Sequence, residues 1–340
     1  MGASDVHIIS GSPVICRHKG ALIRMSEDRL LNADTEALVT GMLSEKQKNT
    51  LIANGEVDFA YSVPRLGRFR VNAFRQRNSY AAALRVILTD PPEPHALGIS
   101  EEVIALTNLK SGLVLVTGPT GSGKSTTLAS LIHYINMNRG VNVITLEDPI
   151  EYLHNNKKSI VTQREVGSDT KSYSNGLRAA LRQDPDVILV GEMRDLETIS
   201  IALTAAETGH LVFSTVHTVG AAKTIDRVTD IFEPFQQAQI KMQLSTVLKG
   251  VISQQLLPRA DGTGRVAAFE IMFDSPAISN NIRESKTYQI YNTIQTSRSR
   301  GMIAMDVYLA ELVKKNIVDY EIALAYSVNV DHFTKLIKGV

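Results

Sequence analysis

The spacing of hydrophobic positions changes twice along the 340 residues. Up to about residue 90 they come in short runs. Val6 and Ile8, then Val14 and Ile15, fall in extended stretches, and His18-Lys19-Gly20 reads as a hairpin turn. A helical pattern is predicted from Asn32 to about Ile52, stopped by Asn54-Gly55. Three strand-like segments follow, at Asp58–Val63, Arg68–Phe74 and Tyr80–Leu88. In the second, Phe69, Val71 and Ala73 alternate with Arg68, Arg70 and Asn72, giving one apolar and one cationic face. Arg85 lies between Leu84 and Val86, and a partly buried guanidinium there requires an anionic partner. Residues 1–90 are thus predicted to form a small α+β domain.

Pro91, Pro92 and Pro94 cannot enter a helix interior or a central strand, so 91–99 reads as a linker. From about residue 100 apolar strands alternate with helical stretches. The strands are predicted at Leu113–Thr117, Val141–Leu146, Val187–Val190 and Leu211–Thr215. Short, almost wholly apolar strands suit a sheet covered by helices on both faces, which makes 100–340 an α/β domain. After about Leu257 the pattern shifts again. Pro258 to Gly264 is a turn-rich loop, Val266–Phe273 a short strand, and the remainder helical: Ala277–Arg283, Tyr288–Gln295, Ala304–Lys315 and a final helix at Tyr320–Tyr326. Residues from about 258 therefore read as a helical appendage.

Polar residues gather after the predicted strands. The first strand runs into Gly118-Pro119-Thr120-Gly121-Ser122-Gly123-Lys124-Ser125-Thr126, and a helical pattern with Leu128, Leu131, Ile132 and Ile135 on one face follows. Strand, glycine loop and helix are the context of a phosphate-binding loop. Glycines let successive backbone N–H groups converge on an anion, and the positive end of the helix dipole points at it. Lys124 is placed for the β- and γ-phosphates and the Ser125 hydroxyl for Mg²⁺. The other strands end at Glu147-Asp148, Glu192 and His217. In open α/β sheets ligands bind at the carboxyl ends of strands, so these groups should converge. A carboxylate at Glu192 can activate the water that attacks a γ-phosphate. Glu147, Asp148 and Glu151 suit either holding Mg²⁺ through water or orienting that water. His217 is placed to sense a γ-phosphate, whereas His210, behind Gly209, has the position of a hydrogen-bonded structural residue. Arg178 and Arg182, four apart on a helix ending at Asp184-Pro185, share a face and serve either as solvated ion pairs or in charge neutralisation at phosphates or a subunit interface.

Composition narrows the class. Hydrophobic and charged contents of 44% and 21% are those of a soluble globular chain, and a net charge of +1 gives no support for a nucleic-acid-binding field. The single cysteine, Cys16, excludes an internal disulfide and a Cys₄ zinc site. No apolar run reaches the 18 residues of a membrane span, and Met1-Gly2-Ala3-Ser4 has no secretory signal character. The expectation is a cytoplasmic protein, a reading compatible with docking on a membrane partner.

Taken together, the motifs closely resemble the retraction ATPases of type IV pili, within the secretion ATPase superfamily. The matching stretches are residues 118–130, 145–152, 177–198, 204–218, 221–227, 251–259 and 264–271, with Ala3–Ile8 and Arg68–Asn72 near the front. The resemblance implies a homohexameric ring motor with a PAS-like first domain and a RecA-like second domain, using ATP and Mg²⁺. Its partners would be an inner-membrane pilus platform protein and, through it, pilin, which would place it peripherally at the cytoplasmic face of that membrane. Carried onto matching positions, Glu192 is the glutamate of an atypical Walker B box, Glu151 that of an aspartate box, and His210 and His217 a histidine box. Arg70 and Arg85 correspond to first-domain arginines that reach nucleotide phosphate, and Arg178 and Arg182 to a second pair. Extension and secretion members usually carry a four-cysteine zinc insert, which a chain with one cysteine lacks. Retraction members carry AIRNLIRE late in the chain. Here that place reads Ala277-Ile278-Ser279-Asn280-Asn281-Ile282-Arg283-Glu284, with Ser279 for Arg and Asn281 for Leu. An assembly or secretion ATPase of the same superfamily is the near alternative, and a nucleic-acid-translocating RecA-like motor a more distant one.

Overall fold

The structure is a computed structural model that describes residues 2–18, 20–64, 66–89 and 91–339. Lys19 of the predicted hairpin turn and Asp90, at the end of the predicted first domain, lie outside the described residues. The chain divides into two compact units, one of residues 1–89 with 151–153, the other of 90–150 with 154–340.

The first unit is an antiparallel sheet with two helices. Its strands are β1 (Asp5–Ile8), β2 (Ile15–His18), β3 (Ala21–Arg24), β4 (Glu56–Val63), β5 (Gly67–Gln76) and β6 (Ser79–Thr89), in the order β3-β2-β1-β6-β5-β4. The alternation read from the sequence holds: Val71 and Ala73 are fully buried while Arg70 is exposed. The predicted single helix is two, Asn32–Gly41 and Glu45–Asn54. Ser44 separates them, because its side chain accepts from Gln47 N while the Gln47 side chain accepts from Ser44 N, a reciprocal cap that starts a new helix. The second helix ends, as expected, on Gly55 in the left-handed conformation. Val39, Leu51, Phe59 and Val71 close a small core between helices and sheet.

The second unit holds a seven-stranded sheet built from β7 (Gly112–Thr117), β8 (Asn142–Glu147), β10 (Ile160–Glu165), β11 (Val187–Val190), β12 (Leu211–Val216), β13 (Leu248–Pro258) and β14 (Arg265–Phe273). Between β8 and β10 the chain contributes β9 (Tyr152–Leu153) to the first unit, where it pairs in parallel with Leu88 and Thr89 of β6. The order is β10-β8-β11-β12-β7-β13-β14, parallel except for the β13–β14 hairpin. Period-two alternation feeds two cores. Leu113, Leu115, Ile188, Val190 and Val212 face one side, and Val114, Val116, Leu189, Leu211 and Phe213 the other. Helix Lys124–Asn138 covers the second face with Leu128, Leu131, Ile132 and Ile135, whereas helices Leu196–Glu207, Ala221–Asp230 and Pro234–Val247 cover the first.

Several expectations change. The hairpin of β13 and β14 belongs to the central sheet, so helical structure begins at Pro276 and not near residue 258. Helices Pro276–Arg283 and Ile290–Thr296 bury Ile278, Ile282, Ile290 and Ile294 in the main core, while helices Met305–Lys314, Tyr320–Tyr326 and Val330–Lys338 form a separate cluster around Leu309 and Phe333. Tyr320–Tyr326 is thus not the last helix. The helix carrying Arg178 spans Tyr173–Ala180, which leaves Arg182 beyond its end. In the predicted linker, Pro91 and Pro94 are buried and the Ser130 hydroxyl donates to Pro92 O at 2.6 Å.

Phe213 is fully buried near the middle of the parallel sheet. Replacing it with Ala is expected to lower unfolding free energy by about 4 kcal/mol through lost burial and an unfilled cavity, read from the chemical-denaturation midpoint.

Candidate functional site

Four strand ends meet side by side, because β8, β11, β12 and β7 are consecutive in the sheet. The phosphate loop leaves β7 and enters helix Lys124–Asn138 through Gly123. Two of its glycines are required by β13. At Gly118, with φ +143°, a Cβ would stand 2.2 Å from Gln254 O, and at Gly123, with φ +89°, one would stand 2.8 Å from Gln254 Nε2. A further clamp comes from Thr127 Oγ1, which donates to Gln254 Oε1 at 2.7 Å. Lys124 is buried, and its ammonium donates to Gly118 O at 2.8 Å and Pro119 O at 3.0 Å, folding back over the loop. The Ser122 hydroxyl is buried without a hydrogen-bond partner among the described residues, so the cradle holds a polar atom ready for an anion. Ser125 is exposed in the first helical turn, with Thr126 beside it.

His217 joins the loop to the strand-end acid. Lys124 Nζ lies 3.5 Å from His217 Nδ1, and His217 Nε2 lies 3.1 Å from Glu192 Oε1. An ammonium has only protons to give, so Nδ1 accepts and the ring proton sits on Nε2, directed at Glu192. Glu192 is also held by Arg194 Nε, and this carboxylate raises the Arg194 pKa above its ordinary value. Sequence reasoning missed Arg194, although it follows Glu192 by only two residues.

Tyr173 was also missed. Its hydroxyl packs over Gly191, where a Cβ would lie 3.0 Å from it. Burial, and then the charges of Asp148, Glu192 and Glu147, push its pKa up, so it keeps its proton as a donor beside the acids. Glu147 Oε1 accepts from Thr145 Oγ1 at 2.6 Å and Gln163 Nε2 at 3.1 Å, while Asp148 is exposed. Among the described residues no three His, Cys, Asp or Glu side chains gather into a preformed metal cage. Oxygen donors at the exposed Ser125 and Asp148 and the half-buried Glu147 fit Mg²⁺, an ion held by one or two protein oxygens together with substrate phosphates and water.

Beside the loop opens a cavity of about 380 Å³, lined by Leu97, Thr126, Leu256, Arg265 and Tyr308 among others. Its mixed apolar and basic wall and its place against Gly123 suit the base and sugar of a nucleotide.

The remaining expected residues lie elsewhere. His210 stands at the amino end of β12, the strand that separates it from His217. Its Nδ1 lies 3.0 Å from Ala205 O at the end of helix Leu196–Glu207. Arg178 pairs with Glu197 at 2.7 Å, and Arg182 is exposed. In the first unit Arg70 and Arg85 stand directly opposite each other on β5 and β6. Like charges so placed repel unless an anion lies between or beside them. Asp5 supplies one for Arg85, at 2.8 Å, although the Arg85 side chain is 71% exposed and so not partly buried as expected. Burial pushes the Asp5 carboxyl up, but hydrogen bonds from Arg85 and Ser4 outweigh it and hold the pKa below the usual range. Arg70 has no ion-pair partner among the described residues, and Glu151 is exposed.

Residues 54–324 match the family described as type II/IV secretion system protein. The chain is 49% identical over 320 residues to the type IV pilus retraction ATPase PilT of Pseudomonas aeruginosa, covering 94% of this chain and 93% of that one. It is 46% identical over 321 residues to a twitching motility protein of Neisseria gonorrhoeae, covering 94% and 86%. A crystal structure of the pilus retraction motor PilT with bound ADP superposes with a TM-score of 0.91 at 50% identity, covering 97% of this chain and 95% of that one.

A Gly118→Ala change is expected to cost about 3 kcal/mol, since β13 must retreat and the backbone is left-handed there. Thermal unfolding measures it, and nucleotide affinity should fall in parallel.

Proposed function

The chain belongs to the type II/IV secretion system protein family, and we propose that within it this chain is an ATP-hydrolysing motor that retracts type IV pili. The observation that carries this reading is the line Lys124–His217–Glu192, which ties the phosphate loop to a strand-end carboxylate in a chain so similar to a retraction ATPase.

Lys124 and the loop N–H groups hold the phosphates. Mg²⁺, bound through the nucleotide with Ser125, Glu147 and Asp148 as its protein oxygens, supplies charge neutralisation at those phosphates. Glu192 accepts the proton of the attacking water, kept in place by Arg194 and by the His217 Nε2 proton. His217 also touches the Lys124 ammonium, so it registers whether that ammonium turns toward a γ-phosphate. Tyr173 supplies a hydroxyl donor to the same acid cluster. The chain works as a hexamer, in which Arg70 and Arg85 of the first unit meet phosphate and offset its developing charge. The paired guanidiniums of β5 and β6 support that role, since Asp5 answers only one of them. Arg178 and Arg182 serve in charge neutralisation at phosphates or across a subunit interface, and His210 and Glu151 take the histidine-box and aspartate-box roles that the resemblance implies. The motor works at the cytoplasmic face of the inner membrane on a platform protein and, through it, on pilin. No helix among the described residues is long and apolar enough to cross a membrane.

Ser279 and Asn281, the departures from the late retraction motif, are both bonded within the chain. Ser279 Oγ donates to Ser245 O at 2.9 Å, and Asn281 Nδ2 to Thr293 Oγ1 at 3.3 Å. The helix that carries them keeps Ile278 and Ile282 in the core, which supports retention of its role.

Glu192→Gln is expected to lower kcat at least about 100-fold while nucleotide binding persists; an unchanged turnover removes Glu192 from its role. Mixing Lys124→Ala subunits with Arg70→Ala/Arg85→Ala subunits should restore ATPase activity if sites are shared between subunits, and leave it absent if each site is built from one chain. Deletion of the gene should give hyperpiliated cells that do not twitch; bald cells would mark an assembly motor instead.

A further inference from the structure

A buried carboxylate outside the phosphate site holds two helices at once. Glu270 lies on β14, is 4% exposed, and stands opposite Ser253 of β13. Its Oε1 accepts from Ala221 N at 2.8 Å, the first N–H of helix Ala221–Asp230. The same carboxylate accepts from Met305 N, the first N–H of helix Met305–Lys314. Two helix amino ends, each with unpaired N–H groups and a positive dipole end, thus share one anion. Burial pushes the Glu270 carboxyl up against the pull of these two donors, which is the cost of keeping one acid between both helices.

Each helix leads somewhere. Ala221 is four residues after His217, and the turn between them is pinned a second time by Gly220 N, which donates to Ser253 Oγ at 2.8 Å. Thr218 Oγ1 and Thr224 Oγ1, 2.7 Å apart, tie the same turn to the helix. On the other side, Met305 is followed by Asp306, which is wholly buried. Asp306 accepts from Val328 N at 2.7 Å, from Asn329 N at 3.0 Å and from Tyr291 Oη at 3.0 Å. Asn329 caps helix Val330–Lys338. Unbroken hydrogen bonds and short backbone segments therefore run from the His217 turn to the last helix.

We propose that Glu270 is a positioning residue that fixes the His217 turn and couples it to the helices 305–314 and 330–338, so that a shift of His217 between nucleotide states is felt at the C-terminal cluster. The proposal rests on the reading of His217 as the group that registers the γ-phosphate. Both donors are N–H groups, so the shared site calls for an acceptor with no donor of its own and with negative charge. A carboxylate is that, whereas an amide has a single acceptor oxygen, no charge and two N–H donors.

The test uses the full chain. Glu270→Gln is expected to lower kcat about 10- to 100-fold with KM for ATP nearly unchanged, the pattern of a displaced catalytic group. Ser253→Ala, which removes only the Gly220 bond, should lower kcat less. Amide hydrogen exchange is then compared between AMP-PNP and ADP. In the unaltered chain exchange across 305–314 and 328–338 should differ between the two nucleotides, and Glu270→Gln should abolish that difference at a similar melting temperature. Full turnover in both variants, or a nucleotide difference that survives intact in Glu270→Gln, overturns the proposal. If Glu270→Gln does not fold, Ser253→Ala decides: a lowered kcat with a reduced nucleotide difference supports the coupling, and full turnover with an undiminished difference overturns it. An unaltered chain that hydrolyses no ATP overturns the motor reading, whereas normal hydrolysis in both variants overturns only the coupling.

Discussion

The close approach of the phosphate loop to β13 is the constraint on which the site depends. Gly118 packs where no side chain fits against Gln254 O, and Gln254 in turn takes the Thr127 hydroxyl one turn into the helix. Loop and helix are thus fixed to a strand of the sheet and not only to β7, from which they grow. That rigidity gives the contact between Lys124 and His217 a meaning, since both ends of it hang from neighbouring strands. An anion cradle of backbone N–H groups needs such a backing, because groups free to relax have to be reorganised when the charge arrives.

The same strand shows what could and could not be read in the sequence. Apolar runs announced β7, β8, β11 and β12 to within a residue or so at each end, and glycine spacing announced the loop between β7 and its helix. β13 was passed over, because Ser253-Gln254-Gln255 interrupts its apolar pattern with three polar residues, all buried. Each has a partner in the fold: Gly220 N for Ser253, Thr127 for Gln254 and Tyr326 O for Gln255. Polar residues in a central strand that serve as connectors look, one at a time, like the end of a strand. The edge strand β10 escaped for a different reason, as its polar and exposed positions carry little periodic signal. Within the site, Lys124, Glu192 and His217 were legible because each follows a strong strand. Tyr173 and Arg194 were not, because their significance arises from what the fold puts next to them.

The paired arginines of the first unit illustrate the limit of reasoning residue by residue. Arg85 was expected to need an anion because it sits between two apolar neighbours, yet it lies largely in solvent and pairs there with Asp5. What the sequence did not reveal is its register with Arg70. Two guanidiniums facing one another across a ladder repel, and Asp5 offsets only the charge of Arg85.

Strand β9 has a consequence for how this chain can be divided. Tyr152 and Leu153 leave the second unit just after the acid loop, pair in parallel with Leu88 and Thr89 of β6, and return. The backbone therefore crosses between the units three times, after residues 89, 150 and 153. A fragment ending at Thr89 loses a piece of its own sheet, and one beginning at Pro91 carries two residues whose hydrogen-bonding partners are gone. Any recombination that exchanges the front module of such a protein has to exchange β9 with it, which makes the acid loop and the first sheet a single inheritable piece.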